Sequence, residues 1–467
     1  MLSRSSLGRH AQRALRSQCV QPIGRRGLAA PASGSFQYET GDANGVKFAS
    51  RDMAGPTTTL AVVSKAGTRY QPVPGLTEAL EKYAFKVCSH PMAFDVSTEK
   101  RSSIRICRES ELLGAELLPY HSRENLVLSA KFLRDDLPYF VELLSEVITQ
   151  TKYPAHTLNE EVTPLIQLAH KKALASTETL AINSAHALAF HRGLGYPVVP
   201  TSTTAYSKYL SADAVAEFAA QAYSKSNIAV VANGAEHSEL TKWVREFFPE
   251  VPATASPLSS PQTQYFGGEE RIAHAGGNTM VLGFSGSGSF TGSAYKPEVA
   301  VIGSLLGGKS QIKWTPGFTL LAKAAEKYSS ARIDTKSQIY SDAGLLTVTI
   351  QGSASDVAGS AAEAVKTIQE IAAGNIKAED IQKAKARAKF LELEHGQTIF
   401  GSLELTGAGL VQSGKAYQLD ESALKIDAVT EESVKTAAKE LLEKKASVST
   451  VGDLFVLPFA DELGLKV

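Results

Sequence analysis

The chain contains one pattern of predicted elements twice, and this repeat constrains its fold more than any other feature. The segment LVLSAKFLRDDLPYFVELLSEVI, starting at Leu126, aligns with LTVTIQGSASDVAGSAAEAVKTI, starting at Leu346, at an offset of 220 residues. Both segments alternate like a strand, turn at small or acidic residues, and continue with the apolar spacing of a helix. The same offset places the strand pattern 58–64 on 278–284. The sequence therefore predicts two copies of one architecture.

The ends of the two copies and the segment between them set the predicted domain boundaries. The helix-to-strand pattern that starts at Ala212 resembles the one that starts at Glu431, at nearly the same offset. Between the copies, residues 251–263 (VPATASPLSSPQT) lack apolar periodicity and are typical of a linker. We therefore predict domains at 36–250 and 264–460. Strands interleave with paired helices rather than in strict βαβ units, which favours the α+β class.

The first 35 residues are typical of a targeting segment. They contain six arginines and several serines, and the first acidic residue of the chain is Glu39. Three of the arginines, Arg9, Arg13 and Arg16, fall on one face of a helix. An arginine-rich, acid-free, amphipathic leader is typical of a mitochondrial transit peptide, and a disordered basic tail is the alternative. We predict that residues 1–35 are a transit peptide.

Charge and hydropathy argue against nucleic-acid binding and against a membrane-spanning helix. The 467 residues include 48 Lys and Arg against 48 Asp and Glu, so no overall positive field would attract nucleic acid. No apolar run reaches the roughly 18 residues that a membrane-spanning helix needs. We therefore expect no nucleic-acid partner and no transmembrane helix, and any association with a membrane would be peripheral.

A short predicted helix at 75–86 has the spacing of a zinc-peptidase motif without its histidines. The motif H-x-x-E-H needs two neutral imidazoles one turn apart and a carboxylate that activates water. Here Glu78 and Lys82 stand at the two histidine positions, and Glu81 stands at the general-base position. A lysine ammonium has no lone pair for a metal. The local pattern favours an amphipathic surface helix with these three residues on its polar face; a former metal site is the alternative.

The wider context of this helix resembles the pitrilysin-type (M16) metallopeptidases. Gly75, Glu81, Phe85 and Lys86 match that family's motif, and the segments 183–201 and 223–234 resemble its later helix-turn and strand segments. The resemblance implies two homologous α+β domains of the LuxS/MPP-like fold that form a clam-shaped unit. The family's third zinc ligand is a glutamate further along the chain; Glu160 and Glu161 lie in that region, but neither can be assigned. The resemblance and the missing histidines together imply no catalytic residue and no bound metal.

Within the M16 family, a chain with a mitochondrial leader and without the zinc histidines, such as this one, resembles the core proteins of ubiquinol–cytochrome c reductase (cytochrome bc1, complex III). This implies a matrix-side structural role in an obligate, dimeric complex. The implied partners are core protein 1, cytochrome b, cytochrome c1, the Rieske protein and small subunits. The sequence has no C-x-x-C-H motif and no cysteine cluster, so we expect no cofactor or redox centre. The alternatives are the non-catalytic α subunit of the mitochondrial processing peptidase and an active zinc peptidase.

Two other patterns suggest sites but have simpler explanations. Residues 303–310 (GSLLGGKS) match the phosphate-binding P-loop motif. The preceding residues begin with Pro297 and end with Gly307 and Gly308, which predicts a helix where a P-loop needs a strand. His186 and His191 are five residues apart, which does not place two metal ligands on one helical face. We predict that both histidines serve packing or lie at the surface.

Overall fold

The computed structural model describes residues 37–53, 55–85, 98–200, 209–253, 258–308 and 317–467. The predicted transit peptide, residues 1–35, lies outside these ranges. Among the described residues, no helix is both long enough and apolar enough to cross a bilayer.

The first half of the chain is built on a six-stranded sheet with the order β1-β2-β6-β3-β5-β4. Neighbouring strands are antiparallel except β2 and β6, which are parallel. The pairing of β3 with β5 fixes the register across the middle, with Thr57 opposite Leu133. The strands are β1 (Glu39–Ala43), β2 (Val46–Arg51), β3 (Thr57–Ser64), β4 (Glu116–His121), β5 (Leu126–Leu133) and β6 (Ile228–Asn233).

Seven helices accompany this sheet in the ranges that the structure describes. Their apolar faces enclose a core that includes Phe48, Tyr83, Phe132, Phe140 and Phe218. A helical turn at Ala155–Thr157 and a π-helical turn at Leu158–Val162 lead into the fourth helix, and 3₁₀ turns lie at Arg134–Asp136 and Gly193–Gly195. The helices are α1 (Leu76–Ala84), α2 (Ser103–Leu112), α3 (Leu137–Gln150), α4 (Thr163–Ala175), α5 (Thr177–Phe190), α6 (Ala212–Ala222) and α7 (His237–Phe247).

The second half repeats this plan with a five-stranded sheet of order β7-β11-β8-β10-β9. Only β7 and β11 are parallel, as β2 and β6 are in the first sheet. The repeat predicted from the sequence is thus confirmed at the level of strands: β8 corresponds to β3, and β10 to β5. The strands are β7 (Gly268–Ala273), β8 (Asn278–Ser285), β9 (Arg332–Ile339), β10 (Gly344–Gly352) and β11 (Ser447–Gly452).

Seven further helices lie in the described residues of the second half. The helix Ala354–Ala373 begins after Ser353, whose side chain accepts from the Asp356 amide, and ends at Gly374 in the left-handed conformation (φ 84°). A 3₁₀ turn lies at Ala325–Lys327. The helices are α8 (Pro297–Leu306), α9 (Leu320–Ala324), α10 (Ala354–Ala373), α11 (Ala378–Gln397), α12 (Ile399–Gln412), α13 (Leu419–Asp427) and α14 (Glu431–Glu443).

The two halves exchange one helix each. Helix α5 packs on the second sheet, where Ala181 and Ala185 meet Val281 and Val451. Helix α12 packs on the first sheet, where Leu403 and Leu410 join a separate apolar cluster. The exchange covers the outer face of each sheet, which is why all six residues of β6 and of β11 are buried.

The exchanged helix α12 lies very close to the first sheet. A Cβ atom placed on Gly407 would come within 2.4 Å of the Val63 side chain, so only glycine allows this approach. The exchange ties each half's sheet to the other half, because each sheet has one face buried by a helix from the other half of the chain.

A buried ionic cluster joins the two halves at corresponding hairpin turns. We call it the Arg69 cluster, and it consists of Arg69, Glu124, Ser341 and Asp342. Arg69 Nη1 lies 2.7 Å from Glu124 Oε1, and Nη2 lies 2.7 Å from Asp342 Oδ2. The Arg69 and Glu124 side chains are only 3% and 7% exposed. Glu124 belongs to the β4–β5 turn and Asp342 to the β9–β10 turn, so the repeat places two equivalent turns against each other.

The segment predicted as a linker also contacts this cluster. Arg69 Nε donates to Ser260 Oγ over 2.9 Å, and the Thr263 amide donates to Asp342 Oδ2 over 2.9 Å. Burial opposes ionisation of Asp342, but its hydrogen bonds from Arg69 and Thr263 hold its pKa below the ordinary value. The linker residues Ser260 and Thr263, next to the second half, are therefore held by hydrogen bonds to the cluster.

Candidate functional site

Helix α1 carries the three residues at the zinc-motif positions, and the structure places two of them in the interior. Glu78 is 3% exposed and Glu81 is 9% exposed, whereas the Lys82 side chain is 31% exposed. The prediction that these residues form a solvent-facing polar side was therefore wrong for both glutamates. The local pattern misled because α1 is covered on both sides: its apolar residues join the first core, and β4 covers the glutamate side.

His121, the last residue of β4, completes a charged cluster with α1. Its Nδ1 contacts the Glu81 carboxylate, and its Nε2 lies 3.0 Å from the Val198 carbonyl oxygen. Both neighbours accept hydrogen bonds, so both ring nitrogens carry a proton and the ring is an imidazolium. Burial lowers the pKa of His121, but its contacts with Glu81 outweigh burial and raise the pKa above 6.5.

His121 could not be found from the zinc motif. It stands 40 residues after Glu81 along the chain and reaches α1 only because β4 ends beside that helix. No spacing rule links the two positions.

Glu81 is ionised within this cluster. It contacts the Lys82 ammonium on one oxygen and His121 on the other. Burial alone would raise the pKa of Glu81, but the His121 and Lys82 contacts lower it below 4.5. Two cationic side chains of the protein thus neutralise the carboxylate that corresponds to the general base of active M16 peptidases.

Glu78 has the opposite electrostatic character. Its Oε2 atom is buried and has no hydrogen-bond partner among the described residues. Burial raises the pKa of Glu78 to about 7, assisted by the negative charge of Glu81 and opposed by His121 and Lys82. Near neutral pH, Glu78 is therefore partly protonated.

These residues do not fit a zinc ion. Zinc takes neutral imidazoles, thiolates and carboxylates as ligands, whereas His121 is protonated and Lys82 is an ammonium. No group of three or more metal-binding side chains occurs in the ranges that the structure describes. Glu160 is exposed and Glu161 half-buried, on the π-helical turn before α4. The family's zinc chemistry therefore has no support in this arrangement.

The P-loop-like segment has the geometry predicted from Pro297 and from the glycines at its end. Residues Pro297–Leu306 form helix α8, and Gly307 ends it with φ 58°. A helix precedes the glycines where a nucleotide-binding loop needs a strand. Lys309 and Ser310 of the motif lie outside the described residues.

Of the two histidines in the α5 region, His186 serves packing and His191 lies at the surface, the two roles predicted for them. His186 is fully buried, with Nδ1 2.7 Å from the Ile182 carbonyl oxygen and Nε2 2.9 Å from the Tyr340 hydroxyl. Burial, assisted by the positive charge of Arg123, lowers the pKa of His186 to about 3. His191 stacks on Phe266 at 4.0 Å between ring centroids.

Two family models match the chain, one in the first half and one that extends from the first half into the second. The model described as insulinase (peptidase family M16) matches residues 47–202, and the model described as peptidase M16 inactive domain matches residues 209–388. The chain belongs to the M16 peptidase family, as its sequence resemblance predicted.

Curated relatives place the chain more narrowly within this family. It is 49% identical to the mitochondrial cytochrome b-c1 complex subunit 2 of Neurospora crassa, over 100% of both chains. It is 36% identical to the protein of the same name from Cryptococcus neoformans, over 91% of this chain and 94% of the relative. It is also 24% identical to the mitochondrial-processing peptidase subunit alpha of Solanum tuberosum, over 91% and 83%. Within the M16 family the chain groups with the non-catalytic subunit 2 homologues.

Replacing Glu78 by glutamine should remove a pH dependence of stability. The folded-state pKa of about 7 exceeds the ordinary value of 4.5, so the folded protein holds a proton that the unfolded chain releases. Stability therefore falls as the pH rises from about 4.5 to 7. At pH 8 we expect Glu78→Gln to be more stable than wild type by up to about 3 kcal/mol, with little difference at pH 4.5.

Urea denaturation of the purified full-length chain at both pH values measures this effect. Exposed Glu160→Gln is the matched control and should follow wild type throughout. A difference between Glu78→Gln and wild type that does not change with pH would contradict the assignment.

Proposed function

We propose that the chain is the second core subunit of mitochondrial complex III. The observation that carries this proposal is the full-length identity of 49% to a protein named as subunit 2 of that complex. The charged cluster of Glu81, Lys82 and His121 at the zinc-motif position also supports it. A chain that holds no catalytic metal there has a structural role, in which it binds other subunits through its surface. We place the subunit on the matrix side of the inner membrane, where it supports assembly and stability and holds no redox centre itself.

The proposed partners follow from this role. They are core protein 1, cytochrome b, cytochrome c1, the Rieske protein and the small subunits, in an obligate and dimeric complex. Permanent interfaces of this kind commonly bury more than about 2,000 Å². We also propose cleavage of a transit peptide near residue 35 and domain limits at 36–250 and 264–460, joined by 251–263. The positions Glu78, Glu81 and Lys82 bind no metal in this proposal.

A second candidate function is the α subunit of the mitochondrial processing peptidase, which is non-catalytic. The match to the potato α subunit favours it, although at 24% this identity is about half that to the Neurospora protein. In this role the chain would bind presequences while a histidine-bearing partner cleaves them.

Native gel electrophoresis of detergent-solubilised mitochondrial membranes tests the proposal. We expect the chain, detected by antibody, to migrate in the band that also contains b-type and c-type haem. Migration instead with a soluble partner that cleaves presequence peptides would support the processing peptidase. Absence from the haem-containing band would refute the complex III assignment.

A further inference from the structure

A loop after β11 presents apolar side chains to solvent. We call residues 453–460 the C-terminal apolar loop. Its Phe455 is 103% exposed, and Val456 and Phe459 are 49% and 50% exposed. Because water disfavours large apolar surfaces, three such side chains within five residues make this loop a candidate contact surface.

The backbone of this loop is fixed by one arginine. Arg271, on β7, donates to the carbonyl oxygens of Leu454, Leu457 and Pro458 over 2.8–2.9 Å. Its guanidinium carbon also lies 3.8 Å from the centroid of the Phe459 ring. Three carbonyl groups held by one planar cation leave the loop little freedom to rearrange.

Further contacts anchor both ends of the loop. The Asp453 amide donates to Asn278 Oδ1 over 2.8 Å, and the Phe455 amide donates to Asp453 Oδ1 over 3.1 Å. Leu457 and Ala460 point inward and are buried in the second core. The backbone that carries the exposed rings is therefore held in place by hydrogen bonds and by buried neighbouring side chains. A preorganised aromatic side chain loses little conformational entropy when it binds.

The charge of the segment decides what kind of surface it fits. Residues 453–462 contain three carboxylates, Asp453, Asp461 and Glu462, and no basic side chain. All three are exposed. Acidic groups are repelled by anionic lipid headgroups, so the loop is unsuited to the surface of a mitochondrial membrane. They suit instead a protein pocket with basic residues at its rim.

We propose that the C-terminal apolar loop inserts Phe455 into an apolar, basic-rimmed pocket on another protein subunit of the assembly that contains this chain. The inference rests on the proposed function and deepens it, because it names the surface through which the subunit is held. Phe455 forms the centre of the contact, and Val456 and Phe459 exclude water around it. Such central, preordered aromatic residues commonly provide a large share of the binding free energy of an interface.

The test compares two full-length variants expressed in mitochondria that lack the native chain. Phe455→Asp should lower the fraction of the chain found in the high-molecular-weight native band by at least about tenfold. Leu112→Asp changes a residue that is 85% exposed in the first half and is the matched control. It should assemble as wild type does. Because both positions are exposed, the melting temperatures of the isolated variants should equal that of the wild type.

Several outcomes would overturn the inference. Normal assembly of Phe455→Asp, or equal loss in both variants, would show that the loop is not a specific contact. Flotation of the wild type, but not Phe455→Asp, with cardiolipin-containing vesicles would assign the loop to a membrane instead. If the wild-type chain migrates in a large band without haem, the complex III assignment is refuted. The inference about the loop still holds in that case if the Phe455→Asp variant is missing from the same band. A wild-type chain found in no larger assembly would refute both.

Discussion

Replacement of Arg69 by methionine is expected to lower the free energy of unfolding by about 3–5 kcal/mol. Methionine keeps much of the side-chain volume but removes the charge that faces Glu124 and Asp342. Two carboxylates would then remain close together at the contact between the halves, with Glu124 only 7% exposed and without its cation. The cost comes mainly from these unpaired buried charges and less from the lost attraction itself.

Urea denaturation of the isolated full-length chain measures the effect. The matched control is Lys336→Met, which breaks an ion pair with Asp334 whose side chains are 64% and 49% exposed. Such surface pairs contribute about 0–1 kcal/mol, so this control should remain close to wild type. If Arg69→Met were no more destabilising than Lys336→Met, the Arg69 cluster would not be a stabilising link between the halves.

The second large expected effect is that the residues at the zinc-motif positions neither bind zinc nor catalyse peptide hydrolysis. An active M16 site needs two neutral imidazoles and a free carboxylate that activates a metal-bound water. In this chain Glu81 is held by Lys82 and by the imidazolium of His121. Zinc binding would require His121 to lose its proton and would place a dication beside a fixed ammonium. We therefore expect no tightly bound zinc and no peptide hydrolysis by the isolated chain.

The repeat made much of the fold predictable from sequence. The 220-residue offset located β3 and β8, and the strand-turn-helix segments at Leu126 and Leu346 both have the predicted order. The exchange of α5 and α12 was not predictable in the same way. An amphipathic pattern states that a helix buries one face, but it does not state which sheet covers that face.

The candidate site shows the same limit at the level of single residues. The motif comparison pointed to Glu78, Glu81 and Lys82, and their role stays a prediction. Local periodicity assigned both glutamates to the surface, because nine residues of helix carry no information on what packs against the second face. His121 joins them only through the position of β4. Likewise, Glu124 and Asp342 contact the same arginine, Arg69, only because of how the two halves associate.

The central claim is that the protein's own charges occupy the position where the family's peptidases hold zinc. The most direct test is to purify the full-length chain without its partners and to measure both its zinc content and its cleavage of a presequence peptide, with and without a chelator. An M16 peptidase with an intact H-x-x-E-H motif is the positive control. We predict far less than one zinc per chain and no hydrolysis above the blank. About one zinc per chain, with cleavage that the chelator abolishes, would contradict the account.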